Sequence, residues 1–189
     1  MLPRDADATR ARLVGAATAE FAECGIAGAR VDRIAAAARA NKAQIYHYFG
    51  SKQGLFAAVL SGYAERASAS DYFDADDLPG TAAAIFDQFE ENPELARLTT
   101  WYRLEAGGSD AAMPAAWAAN DAKIAAIAAA QATGRVTDAM PASVLLGLML
   151  TIATSWVDLP PEFASLERDF TTAERRGFVI EAVRRLIAV

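Results

Sequence analysis

The stretch VDRIAAAARANKAQIYHYFGSKQGLF (Val31–Phe56) decides the fold. It reads as two short helices, Val31–Ala38 and Lys42–Tyr48, separated by the break Arg39-Ala40-Asn41. In the first, Ile34, Ala35 and Ala38 fall on one face. In the second, Ile45 and Phe49 lie four apart and point toward a small core. Asn41 is a good N-cap, Gly50 a stop, and Ser51 a cap for a further helix, Lys52–Ala67. That helix carries the apolar stripe Leu55, Phe56, Val59, Leu60 and Tyr63. Upstream, a helix from about Asp7 to Glu23 places Leu13, Ala17 and Phe21 at four-residue spacing, with Gly25 as its stop. Two short helices across a three-residue break describe a helix-turn-helix, whose second helix is shaped to enter a DNA major groove.

The residues on that helix suit a DNA surface. Asn41, Lys42, Ala43, Gln44, Tyr46 and His47 occupy its outer face. Gln44 has the chemistry for a bidentate pair with adenine, Lys42 for a guanine edge or a phosphate, and Ala43 for close approach to a thymine methyl. Tyr46, His47, Lys52 and Arg30 are expected on phosphates, Lys52 at a helix N-terminus that itself favours anions. The charge distribution agrees. Residues 1–67 carry a net +3 and residues 68–189 a net −9, so a basic end sits on an acidic body.

The run Ile34-Ala35 … Ile45-Tyr46-His47-Tyr48-Phe49-Gly50-Ser51-Lys52 … Leu55-Phe56 resembles the DNA-binding domain of the tetracycline-repressor (TetR) family over about residues 9–63. The aromatic cluster followed by Ser-Lys and an apolar helix is its most specific part. The resemblance implies an all-α homodimer whose C-terminal domain holds a small-molecule pocket, with ligand binding changing the separation of two DNA-reading heads. Two positions depart from the family pattern. Arg39 stands where the turn usually has Gly, which implies a different backbone or a strained non-Gly residue. Arg30 stands where Ser or Thr often caps the first short helix, at a cost of roughly 1 kcal/mol.

Composition supports an ordered helical protein. The 46 alanines are set against 12 Gly and 7 Pro, and 53% of residues are hydrophobic. One Cys (Cys24) excludes an internal disulfide framework, and one His (His47) excludes two-His metal sites. No metal, cofactor or catalytic residue is expected. Met1–Ala11 is polar, without the apolar core of a secretory signal, so a cytoplasmic location is expected. The 19 uncharged residues between Asp138 and Asp158 approach the length of a membrane span. Their hydroxyls, Pro141 and acidic flanks favour a buried helix instead, with no membrane partner.

Beyond the acidic stretch Asp71–Pro79, punctuation predicts five more helices. Pro79 opens one. Asn92-Pro93 caps another, which runs to Glu105 and stops at Gly107-Gly108. Pro114 opens an alanine-rich helix to Gly134, and Pro141 opens the uncharged one. Thr171-x-x-Glu174 is a capping box for the last, which reaches Leu186. The sum is nine helices and no sheet, divided as residues 1–67 for DNA binding and 68–189 for effector binding and dimerisation. Phe86, Phe89, Trp101, Tyr102, Met113, Trp117, Met149 and Trp156 are candidate effector contacts, although aromatic residues at helical spacing serve equally as plain core. Ser143, Gly147, Thr151 and Ser155 form a row of small residues that permits close helix approach. Beside it, Leu145, Leu148, Ile152, Phe178, Val179, Ala182, Val183 and Leu186 are either core within one subunit or, as the resemblance implies, a dimer interface.

The expected function is a ligand-responsive transcriptional repressor. It would bind a roughly palindromic double-stranded DNA operator as a homodimer and be released by a small apolar or aromatic effector. An interaction module that merely retains the helix-turn-helix, and a helical enzyme working with carboxylates alone, are the rivals.

Overall fold

The computed structural model describes residues 3–69, 73–105, 114–157 and 159–188. Among these there is no strand. The helices are α1 (Pro3–Gly28), α2 (Val31–Ala37), α3 (Lys42–Phe49), α4 (Lys52–Ala69), α5 (Leu78–Glu91), α6 (Pro93–Glu105), α7 (Pro114–Ala132), α8 (Ala142–Thr154), α9 (Ala164–Asp169) and α10 (Thr172–Leu186), with a 3-10 turn at Pro161–Phe163. The nine expected helices are all present. α9 is an addition of under two turns, too short for its own apolar period to mark it. Among the described residues, no helix is long and apolar enough to cross a membrane.

The chain divides into two compact units: Met1–Arg66 with Pro93–Ala116, and Ala67–Asn92 with Trp117–Val189. The sequence places one boundary at residue 67. The contacts draw another at Asn92, because α6 packs on α1 and belongs with the first unit.

In the first unit, Leu13, Ala17 and Phe21 of α1 are fully buried against Ile34, Ile45, Leu55 and Phe56, and Leu98 of α6 joins the same core. The Phe21 and Phe56 rings meet edge to face at 5.1 Å. Gly25 ends the regular part of α1 with φ 67°, a left-handed conformation that glycine adopts without a Cβ penalty. α3 and α4 meet so closely that a Cβ on Gly54 would lie 2.0 Å from the Phe49 carbonyl oxygen. Only glycine fits there.

The second unit has its own core. Leu78, Phe86, Ile127, Leu145, Met149, Val179 and Val183 are buried together, with α5 packed on α8 and α10. α5 begins at an Asp77 N-cap, whose side chain accepts from the Gly80 N–H at 2.9 Å, with Pro79 in its first turn. The Thr171–Glu174 capping box forms as expected at the start of α10. Asn92 serves differently from its expected role. Its Nδ2 donates to the Gln88 carbonyl at 2.8 Å, closing the end of α5. A charged pair also crosses this core: the buried Arg175 guanidinium donates to both oxygens of Glu90, at 3.1 and 2.9 Å, and lies over the Phe86 and Trp156 rings. Planar Arg suits such a bidentate, stacked position.

Candidate nucleic-acid interface

α3 is two turns long, too short to hold itself in water, so its ends and neighbours fix it. At its start, Asn41 Oδ1 accepts from the Gln44 N–H at 2.9 Å, and Gln44 Oε1 accepts from the Asn41 N–H at 3.0 Å. This reciprocal capping box satisfies two otherwise orphaned donors. At its end, Gly50 takes φ 73° and its N–H donates to the Tyr46 carbonyl. Ser51 Oγ then accepts from the Gly54 N–H and starts α4. Ile45 anchors the inner face with no exposure.

The outer face is open. Asn41, Lys42, Ala43, Tyr46 and His47 are exposed, Tyr46 to 46%. Gln44 is half-buried, and its oxygen is held in the capping box. A bidentate adenine pair needs that oxygen as well as the amide N–H, so in this conformation Gln44 offers only its amide. Lys42 Nζ lies 3.1 Å from an Asp32 carboxylate oxygen. An exposed pair of this kind contributes about 0–1 kcal/mol and yields readily to a phosphate. The His47 and Tyr48 rings contact edge to face at 5.2 Å, and Arg10 stands over the Phe49 ring at 5.4 Å.

Three charged side chains hold the ends of helices around α3. Arg12 Nε donates to the Ala38 carbonyl at 3.1 Å, at the C-terminus of α2. Glu20 Oε1 accepts from the Arg30 N–H at the opposite end of α2 and from Arg33 Nε, both at 2.8 Å. Lys52 Nζ donates to the Ala27 and Ala29 carbonyls at 3.3 and 3.2 Å, where α1 ends. Each charge complements the partial charge of the terminus it meets. Arg30 itself gives α2 no side-chain cap and is exposed, and Glu20 supplies from α1 part of what a Ser or Thr would have given. Partial burial pushes the Glu20 carboxyl up, but hydrogen bonds from Arg33 and the Arg30 N–H outweigh it and leave it below the ordinary value of 4.5. Arg39 takes φ 51°, so the turn keeps the left-handed backbone that usually calls for glycine, with a Cβ in place.

These three contacts were hidden from the sequence, because each joins residues ten or more apart. Lys52 in particular is half-buried and bonded inward, in place of the free phosphate contact expected of it.

The expected effector residues do not form one group. Phe86 and Met149 are buried in the second unit's core, Phe89 is a half-buried residue of α5, and Trp156 stacks on Phe178 at 6.5 Å. Trp101 and Tyr102 are half-buried in the first unit, with Tyr102 against its core. Met113 and the Trp117 side chain lie outside the described residues. A cavity of about 40 Å³ in the second unit is lined by Phe73, Thr81, Ile85, Gln88, Lys123, Met149 and Leu150, and only Met149 of the expected set reaches it. Of the expected interface residues, Leu145, Val179 and Val183 are buried in their own subunit, Ile152 and Leu186 are half-buried, and Leu148, Phe178 and Ala182 are exposed. Among the described residues, no group of three or more His, Cys, Asp or Glu is placed to hold a metal ion.

Comparison with known proteins bears on both units. Residues 13–59 match the family described as bacterial regulatory proteins, tetR family, and residues 77–185 match the tetracyclin repressor-like C-terminal domain. The chain is 40% identical over 191 residues to the HTH-type transcriptional repressor SCO4008 of Streptomyces coelicolor, covering 99% of each protein. It is 32% identical over 111 residues to the HTH-type transcriptional repressor NicS of Pseudomonas putida, covering 55% of this chain and 52% of that one. The solved structure of SCO4942 from Streptomyces coelicolor superposes with a TM-score of 0.83 at 37% identity, covering 95% of this chain and 98% of that one. A capped α3 with an open polar face, in a chain matched at both ends by the same family, leads to one conclusion: the protein belongs to the TetR family and is a DNA-binding transcriptional regulator, not an enzyme.

Proposed function

We propose that the protein is a ligand-responsive repressor that binds a roughly palindromic operator as a homodimer and leaves it when a small effector enters the second unit. The observation that carries the DNA-reading part is the outer face of α3, open from Asn41 to His47 while both helix ends are capped. Lys42 and Ala43 meet base edges, Tyr46, His47 and the exposed Arg30 and Arg39 meet phosphates, and Gln44 presents its amide while its oxygen holds the helix start. Lys52 acts from behind, by fixing the end of α1 near α2.

Dimerisation is supported by the outward face of α8 and α10. Val144, Leu148 and Phe178 are 47%, 42% and 47% exposed, and Ser143, Gly147, Thr151 and Ser155 are exposed beside them. Large apolar side chains next to a row of small ones suit close packing of the same helices from a second copy. Two heads then read two half-sites about 34–36 Å apart, which multiplies the affinity of a two-turn reading helix.

DNase footprinting on the DNA beside the protein's own gene tests this reading. The expected result is one protected segment with two-fold sequence symmetry and half-sites about one helical turn apart. Uniform partial protection along the whole fragment contradicts it.

A further inference from the structure

The cavity in the second unit has one feature that its apolar walls do not explain. Phe73, Ile85, Met149 and Leu150 line it with hydrocarbon, yet Lys123 of α7 lines it too. Lys123 is half-buried and is the only Lys or Arg in α7, within an alanine-rich sequence. Burial pushes its ammonium below the ordinary lysine value, and no hydrogen bond or charge from a described residue offsets that burial. By contrast, Arg135, Arg175, Arg176, Arg184 and Arg185 of the second unit each have a carboxylate beside them.

The rest of the cavity points the same way. Thr81, Ile85 and Gln88 lie at i, i+4 and i+7 on one face of α5, so they line one wall. The Thr81 hydroxyl is already used, accepting from the Asp74 N–H at 2.9 Å and donating to its carbonyl at 3.2 Å. Gln88 and Lys123 are the two polar side chains left facing the space. An ammonium and an amide in the lining of a cleft otherwise walled by hydrocarbon form a receptor for an anionic group on an apolar body. About 40 Å³ holds a group the size of a carboxylate and not a whole effector, so this cavity is the end of a site.

We infer that this cavity takes the anionic end, such as a carboxylate, of a mostly apolar effector, with Lys123 as its ion-pair partner and Gln88 as a hydrogen-bond donor. The inference rests on the reading of the second unit as the effector domain and adds the charge of the ligand to it. A carboxylate relieves the cost of the half-buried ammonium and forms a charge-assisted hydrogen bond, whereas a neutral isostere leaves the ammonium uncompensated.

Equilibrium dialysis of the full-length protein against octanoate, octanamide and octylammonium, matched in length and differing in charge, tests it. Octanoate is expected to bind about 10- to 100-fold more tightly than octanamide, with octylammonium weakest. Lys123→Met removes the preference for octanoate while keeping octanamide binding, Lys123→Arg restores most of it, and operator affinity without ligand is the same in all three proteins. If octanamide or octylammonium binds as tightly as octanoate, or if the preference survives Lys123→Met, the anionic assignment falls and a ligand site in the second unit still stands. If none of the three binds, the cavity is no subsite for the anionic end of an apolar chain and the inference falls, whereas the operator reading is untouched.

Discussion

The two units hold themselves together in different ways. The second relies on long helices around an apolar core, with one charged pair, Arg175–Glu90, drawn into it. The first is built partly from helices of two turns, and charges sit at the ends of its helices: Arg12 and Glu20 at the two ends of the short α2, and Lys52 at the end of the long α1. Short helices bury little apolar surface each, and a terminus exposes unpaired N–H or C=O groups over a large fraction of their length. The lesson concerns charge. The net +3 of residues 1–67 suggests a surface devoted to a polyanion, yet several of its basic groups are bonded within the protein. The DNA-facing charge is smaller and more localised than composition implies.

The largest effect is expected in the second unit. Glu90→Ala leaves the buried Arg175 guanidinium without its bidentate partner and lowers stability by about 3–5 kcal/mol, read by chemical denaturation. Glu91→Ala, which removes a neighbouring exposed carboxylate, sets the baseline. Next comes the α3–α4 junction. Gly54→Ala drives a Cβ into the Phe49 carbonyl oxygen and costs about 3 kcal/mol or more, with loss of DNA binding at growth temperature. A stability equal to wild type there means the junction is looser than the geometry indicates.

Glu20→Gln removes charge from the contact that joins α1 to the start of α2 and costs about 1 kcal/mol. Because the folded Glu20 carboxyl lies below its ordinary value, its stabilisation is full above pH 4.5 and is lost as pH falls through that lower folded value. The difference in stability between wild type and Glu20→Gln therefore shrinks on acidification, and a constant difference from pH 7 to pH 3 contradicts the contact. Arg39→Gly has the smallest effect on stability. Relief of the left-handed Cβ, worth about 1 kcal/mol, is offset by the greater freedom of glycine in the unfolded chain. The readout that moves is the slope of log affinity against log salt, which falls by about one if Arg39 meets a phosphate.

Much of this architecture was legible in the sequence because it is local. Asn41, Ser51 and Thr171 cap helices three residues away, and the fully buried Leu13, Ala17 and Phe21 announce their face by spacing alone. The outer face of α3 follows from the same period. What was not legible depends on residues far apart in the chain. Nothing near Lys52 says that its ammonium will meet carbonyls more than twenty residues earlier. Gly54 gives no turn signal, since its constraint is a neighbouring backbone within a helix. Gln44 was read as a base contact by its chemistry, but its N3 position after Asn41 commits its oxygen to the cap, and the capping-box pattern could have revealed this. Lys123 is the single basic residue of the alanine-rich α7, and no local signal in the sequence places it beside residues of α5 and α8.

The central claim, that the open face of α3 reads DNA, is tested most directly by fluorescence anisotropy of the full-length protein with its operator and with scrambled DNA over a range of salt. The account predicts selective binding to the operator, with log affinity falling linearly with log salt and with Lys42→Ala and Tyr46→Ala each weakening it. Equal affinity for both DNAs, or no binding to either at low salt, would contradict it.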